Sequence, residues 1–161
     1  SKDNTEEILT KYKDRIIYIK QKNQGVSASR NNGVGISTGN YVAFLDADDE
    51  WMPTKLEKQL EVFERNSQIG LVHCGCLDVD VDGKSMNEHL NGMNGWVARE
   101  MLFFERPVIF GAGSSSVIPR KVFDKIGGFD LNLSTSADWD FCFRIANKWE
   151  VGFVAEPLFK Y

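Results

Sequence analysis

Asp46, Asp48 and Asp49 follow directly on the apolar run Tyr41-Val42-Ala43-Phe44-Leu45. Two carboxylates one residue apart can face one divalent cation, and hard ions such as Mg2+ or Mn2+ prefer oxygen ligands. One or two protein carboxylates suffice where substrate phosphates complete the shell. The same residues also suit a solvated turn before a helix, where acidic charge favours the N-terminus. Spacing alone leaves both readings open. A second acidic stretch, Asp78-Val79-Asp80-Val81-Asp82-Gly83, copies the first half of a calcium loop of the EF-hand kind. Its twelfth position, where a bidentate Glu should close the shell, is His89, and its flank reads as a strand. A tight turn at Asp82-Gly83, with the aspartates facing water, is the preferred reading. Cys74 and Cys76 stand two apart in an apparent strand and so share a face. With Cys142 they make an odd set, and no second pair completes four ligands. Buried reduced thiols are preferred to a metal site.

The elements that must position these groups alternate between short apolar runs and helical stretches, a pattern of an α/β sheet with parallel connections. A helix is expected to open at Asp3-Asn4-Thr5 and run to about Tyr12, followed by a strand over Arg15–Lys20 around Ile16-Ile17-Tyr18-Ile19. A turn and short helix occupy Gly25–Thr38, and Gly39-Asn40 ends them. Tyr41–Leu45, apolar without alternation, predicts a strand covered on both faces. Pro53 suits the first turn of a helix carrying Leu56, Leu60 and Phe63, with Lys55 and other charged residues filling the remainder. Beyond it come a strand over Ile69–Val81, a polar mobile loop over Gly83–Gly95 and a helix over Trp96–Phe104. A strand over Ser114–Ile118, helices over Arg120–Ile126 and Asp138–Lys148, and a strand over Val151–Val154 complete the expectation. In open α/β sheets ligands gather at the carboxyl ends of strands, where Asp46 falls.

The chain has 161 residues, 42% of them hydrophobic and 26% charged. That suits one globular domain over 1–161 with a real core. No apolar run approaches the roughly 20 residues that span a bilayer, and no secretory apolar segment opens the chain. A net charge of −4 argues against a nucleic-acid partner. An anionic ligand then needs a cation or a few local basic groups.

Several stretches together carry a resemblance. Asn23-Gln24-Gly25-Val26-Ser27-Ala28-Ser29-Arg30-Asn31-Asn32-Gly33 leads through Gly39-Asn40 to Asp46-Ala47-Asp48-Asp49. Gly127-Gly128-Phe129-Asp130 and Ala137-Asp138-Trp139-Asp140-Phe141-Cys142-Phe143-Arg144 follow. The chain resembles, over essentially its whole length, the family 2 glycosyltransferases, inverting enzymes of the GT-A fold. The resemblance implies a Rossmann-like, mixed, mainly parallel sheet flanked by helices. By that likeness Asp46-Ala47-Asp48 matches the family's Asp-X-Asp motif. Asp48 would coordinate the Mn2+ or Mg2+ that bridges the donor diphosphate, and Asp46 would sit against the ribose or in the metal's water shell. Arg30 takes the place of a basic residue reaching the donor nucleotide, and Asp138 that of the catalytic base. Ala137 stands where the family usually has Glu. Trp139 could stack on a sugar, although packing is the preferred reading. The implied partners are a nucleotide-sugar donor, a UDP-sugar foremost, and a glycan or lipid-linked acceptor, with no nucleic acid. Polysaccharide or glycan assembly in the cytoplasm, at the inner membrane face, is the implied setting.

The family's pattern normally starts with a strand ending in Asp-Asp-Gly, so the resemblance implies that the first strand, first helix and second strand would be absent from residues 1–161. Arg15–Lys20 would then be an edge strand without its neighbour, which predicts a homodimer or strand exchange and weak donor binding by the chain alone. Two other readings remain: a non-catalytic carbohydrate-binding or assembly module of the same fold, favoured by Ala137 and the missing strands, and a nucleotidyltransferase. Fold by itself does not choose among them.

Overall fold

A computed structural model describes residues 4–103 and 107–161. The expected helix start at Asp3 and helix end at Phe104 lie outside the described residues. In chain order the elements are α1 (Thr5–Thr10), α2 (Val26–Ile36), β1 (Tyr41–Ala43), β2 (Glu50–Trp51), α3 (Lys55–Arg65), β3 (Ile69–Val79), β4 (Ser85–His89), α4 (Ala98–Phe103), α5 (Ala112–Ser115), β5 (Val117–Pro119), α6 (Arg120–Ile126), α7 (Ala137–Ala146) and β6 (Glu150–Lys160).

The strands form one mixed sheet in the order β1-β5-β3-β6-β2, with β4 paired to β3. β3 and β6 pair in parallel over their whole lengths, and the other named pairings are antiparallel. The mixed sheet flanked by helices is the expected class, with more antiparallel pairing than the alternation of runs suggested. β1, β3 and β6 still point the same way, because β5 reverses direction between β1 and β3. The carboxyl end of β1 therefore lies on the ligand side of the sheet.

β3 is buried through its first eight residues, as a strand covered on both faces should be. Successive side chains leave it on opposite faces. Leu71 joins Val151, Phe141 and Ile145 in the core beneath α7, while Val72 joins Val117 and Phe63 of α3. Gly70 lies so close to the end of α7 and the residues after it that a Cβ there would meet Ile145 Cγ2 at 3.1 Å and Trp149 Cβ at 2.6 Å. The buried stripe of α3 differs from the expected apolar one. It runs Lys55, Gln59, Phe63, leaving Leu56 exposed. Spacing four apart puts these three on one face, and the polar pair is satisfied inside: Lys55 Nζ donates to Gln59 Oε1 at 2.6 Å and lies over the Trp51 ring.

Five sequence-based expectations need correction. The strand expected over Tyr41–Leu45 with both faces covered is the shorter β1, in which only Val42 is buried while Tyr41, and Leu45 beyond its end, are exposed. Arg15–Lys20 forms no strand; the segment is exposed, with Ile17 at 74%, and has no ladder partner among the described residues. An apolar run becomes a strand only when another strand bonds to it. Gly83–Gly95 is not wholly loop, because Ser85–His89 returns along β3 as a hairpin. The turn between them is the expected one: Gly83 takes φ +77°, and Asp80 Oδ1 accepts the N–H groups of Asp82 and Lys84. β6 runs well beyond Val154, through Pro157, where a register shift against Gly75 absorbs the missing donor. Ser114 belongs to the short turn α5, not to a strand, and β5 begins only at Val117.

Candidate functional site

Arg30 is on α2, whose start is set by Gly25 at φ +87°, with Asn23 Oδ1 accepting the Gly25 N–H. Its side chain is 8% exposed, and the guanidinium lies between two carboxylates. Nη2 donates to Asp46 Oδ1 at 2.7 Å and Oδ2 at 3.1 Å, and Nη1 donates to Asp138 Oδ1 at 2.5 Å. The rings of Phe129 and Phe44 cover it at 5.3 and 5.6 Å. Burial works against the charge, but Asp46 and Asp138 outweigh it and the guanidinium is held above its ordinary range. Three expected site residues thus meet at one cation, and in this state both its terminal nitrogens are engaged by the protein.

The acidic turn is fixed from below by Ser114. Its Oγ accepts the Asp46 N–H at 3.0 Å and bonds the Asp49 carboxylate, and its carbonyl accepts Trp51 Nε1 at 2.8 Å. The turn closes with the Asp49 N–H on the Asp46 carbonyl at 3.2 Å. Burial raises the Asp49 carboxyl; the charges of Asp48 and Asp46 add to this, and the Ser114 bond opposes it. Next to Ser114, a Cβ on Gly113 would meet Arg30 Nη2 at 2.4 Å and Asp46 Oδ2 at 2.8 Å. Only glycine leaves room there for the ion pair. Ser115, the next residue, is held through its carbonyl by Gln59 Nε2 at 2.8 Å.

Asp138 lies in the first turn of α7. The residue before the helix, Ser136, takes φ +58°, a left-handed backbone rare for a side chain other than Gly or Asn. Ala137 is buried. Below Asp138, one turn on, Cys142 is buried, and burial pushes its thiol up to about 12. Trp139 stacks on Phe143 at 5.0 Å with planes 5° apart, which agrees with packing.

Two residues that sequence reasoning did not single out align this arrangement. Asn31 donates to the Phe129 carbonyl at 2.8 Å and accepts the Phe129 N–H at 2.9 Å. Arg144 donates to the carbonyls of Ile126 and Gly128 and to Asp140. Together they hold the turn of Gly127 and Gly128, both at positive φ, and so press Phe129 onto Phe141 at 4.3 Å and against Arg30. Asn31 lies inside the motif quoted above, but nothing in the sequence shows which backbone it reaches.

Three cavities open on these carboxylates. The first, about 430 Å³, lies between the start of α2 at Gly25–Ser27 and the segment 131–138 that ends on Asp138; two more bear on the site. One, about 330 Å³, is lined by Met101, Val108, Ile109, Ala112 and Trp139, with Asp138 among its polar groups. The other, about 450 Å³, runs between α2 and β1 past Arg30, Tyr41, Phe44 and Asp46. The donor set of the acidic turn suits a hard divalent cation. Asp46 is shared with Arg30 and Asp49 with Ser114, whereas Asp48 is exposed and carries no hydrogen bond or ion pair among the described residues. It is a carboxylate left available to a ligand.

The sequence model of glycosyl transferase family 2 matches residues 1–127. A protein of Methanocaldococcus jannaschii named as an uncharacterized glycosyltransferase is 35% identical, over 97% of this chain and 54% of its own length. One from Rickettsia typhi, named likewise, is 30% identical over 99% of this chain and 51% of its own. The chain therefore spans about half the length of the curated relatives it matches. Among solved structures, Staphylococcus aureus TarS 1–349 in complex with UDP-GlcNAc superposes with a TM-score of 0.74, covering all of this chain and 46% of that one at 14% identity. At that identity the likeness establishes the fold, a GT-A-type architecture, and nothing finer.

Proposed function

This chain belongs to glycosyl transferase family 2, and we propose that it transfers a sugar from a nucleoside-diphosphate sugar to an acceptor hydroxyl with inversion at the anomeric carbon. The observation that carries the reading is the Arg30 bridge. One guanidinium fixes Asp46 of the acidic turn and Asp138 of α7 at the same centre. A group held at Asp46–Asp48 and a group held at Asp138 would therefore meet.

Asp138 serves as the general base. Arg30 engages its Oδ1, which leaves Oδ2 to take the proton of the acceptor hydroxyl as that oxygen attacks the anomeric carbon. The bond from the sugar to the diphosphate breaks in the same displacement, and a single displacement inverts the centre. Asp48, with Asp46, would hold Mn2+ or Mg2+, which supplies positive charge against the departing diphosphate. Arg30 orients both carboxylates and is itself a donor-binding candidate if a diphosphate draws it from Asp46. The α2–β1 cavity suits the donor, for which UDP-sugars are the first choice. The apolar cavity beside Asp138 suits a glycan or lipid-linked acceptor.

Glycan assembly at the cytoplasmic membrane face is the setting we propose; among the described residues no helix is long and apolar enough to cross a membrane. Exposed Ile16, Ile17 and Ile19 further support self-association of the chain. Incubating the full-length protein with a panel of nucleotide sugars and Mn2+ tests the central reading. Release of nucleoside diphosphate, with transfer to an acceptor of inverted configuration, is the expected result. Binding without release would point instead to a non-catalytic module, and pyrophosphate release to a nucleotidyltransferase.

A further inference from the structure

Away from the acidic turn's own ligands, the β3–β4 hairpin brings three unlike metal-binding groups together. Cys76 and Asp78 are two apart on β3 and therefore share a face. His89 stands directly opposite Cys76 in the antiparallel register, and directly opposed residues share a face as well. A thiol, a carboxylate and an imidazole consequently converge, with one ligand atom from each within 4.8 Å of the others. His89 Nε2 and Asp78 Oδ2 already lie 2.7 Å apart. Phe110 lies over the His89 ring at 5.3 Å, and Cys76 is buried beside Leu158 and Phe159.

We propose that Cys76, Asp78 and His89 form a binding site for a d-block cation of the zinc type, with the fourth position open to solvent. The ligand set is the argument. Sulfur and nitrogen select zinc-like ions, whereas the oxygen-only acidic turn selects Mg2+ or Mn2+. Bonds of ~2.0–2.3 Å in a tetrahedron place ligand atoms ~3.6 Å apart, so closure asks for side-chain movements of about an ångström. On binding, the Cys76 thiol loses its proton to solvent, His89 presents the Nε2 lone pair, and the ion takes the place of the hydrogen bond to Asp78. Burial holds the free thiol up to about 11, and the charges of Asp78 and Asp49 add to that. Those same two charges attract a cation. Its effect on the fold would be to clamp β4, an otherwise exposed strand, onto the end of β3 from Cys76 to Val79, where the strand leaves the core.

The test is titration of the chelator-treated protein with Co2+, followed by absorption. One equivalent should bind with a thiolate-to-cobalt charge-transfer band, be displaced by one equivalent of Zn2+, and raise the melting temperature. Cys76→Ser should abolish the band, and His89→Ala should weaken binding at least about tenfold, no less than the loss of an outer-shell partner. Asp48→Ala should leave the band intact, which separates this site from the proposed donor cation: failure of either leaves the other standing. If Cys76→Ser does not fold, His89→Ala and His89→Gln decide. No thiolate band in the natural sequence, or a band that survives in Cys76→Ser or is unchanged in both His89 variants, overturns the proposal.

Discussion

Asn31 holds Phe129 by its backbone alone, taking the N–H at 2.9 Å and giving to the carbonyl at 2.8 Å. A side-chain amide has one acceptor and one donor side, and here they match both polar groups of one residue. The contact joins α2 to the turn before α7, and Arg30 is the residue just before Asn31 on α2. Asn31→Ala removes both bonds and leaves partly buried backbone groups unpaired. We expect a loss of about 1–3 kcal/mol, read from the urea midpoint. Asn31→Asp, which keeps the acceptor and loses the donor, should be destabilised too. An unchanged midpoint in the alanine variant would mean that the turn is held by Arg144 alone.

Gly113→Ala tests the room left for the Arg30 bridge. The added carbon would lie 2.4 Å from Arg30 Nη2 and 2.8 Å from Asp46 Oδ2, so the ion pair must shift. A displacement of about 1 Å in a positioning group costs ~100-fold in rate. Turnover should drop on that scale, and an added carbon that left the rate intact would show the bridge to be dispensable.

The two carboxylates should fail differently. Asp138→Asn is expected to lower turnover by roughly 10²–10⁴-fold with donor binding kept. Asp48→Ala should instead remove the Mn2+-dependent part of donor binding, measured by calorimetry with and without the ion. Near-normal turnover in the first variant, or unchanged metal dependence in the second, contradicts the corresponding role.

Lys55 gives a pH signature. Burial lowers its ammonium from 10.5 to about 8. Between those values the unfolded chain holds the proton that the folded chain has lost, so this lysine makes stability rise with pH across that window. Below about pH 8 the deficit is complete, on the order of 3 kcal/mol. Lys55→Met keeps the bulk and removes the charge, against the loss of the bond to Gln59. It should raise the urea midpoint at pH 7 and gain nothing on going to pH 10, relative to the natural sequence. A parallel pH response in the two proteins rules out the buried ammonium as its source.

The acidic turn was legible because strand, turn and carboxylates are contiguous, and local pattern carries that kind of information. Arg30 and Asp138 had to be found through resemblance, since neither has a periodic mark that distinguishes it from a surface residue. Asn31, Gly113 and Ser114 stayed hidden because their partners are far along the chain, and a fit between distant parts leaves no spacing to read. Two errors came from reading hydrophobicity as structure. Ile16-Ile17-Tyr18-Ile19 is apolar yet has no strand partner among the described residues, while Ser85–His89 is polar yet paired with β3. Pairing is a property of neighbours, and composition reports only half of it. Lys55 misled in the opposite sense, since it is buried with a polar partner, Gln59, on its own helix, and Gln59 in turn donates to the adjoining strand.

All three cysteines are free and buried, with their thiols pushed up to about 11 or 12, by burial first. An alkylating reagent attacks thiolate that it can reach, and Cys74 and Cys142 in the folded chain offer it neither. Labelling of this protein therefore clocks its opening. Cys142, one helical turn below Asp138, would time the loosening of α7, and Cys74 that of the central strand, without any probe being introduced.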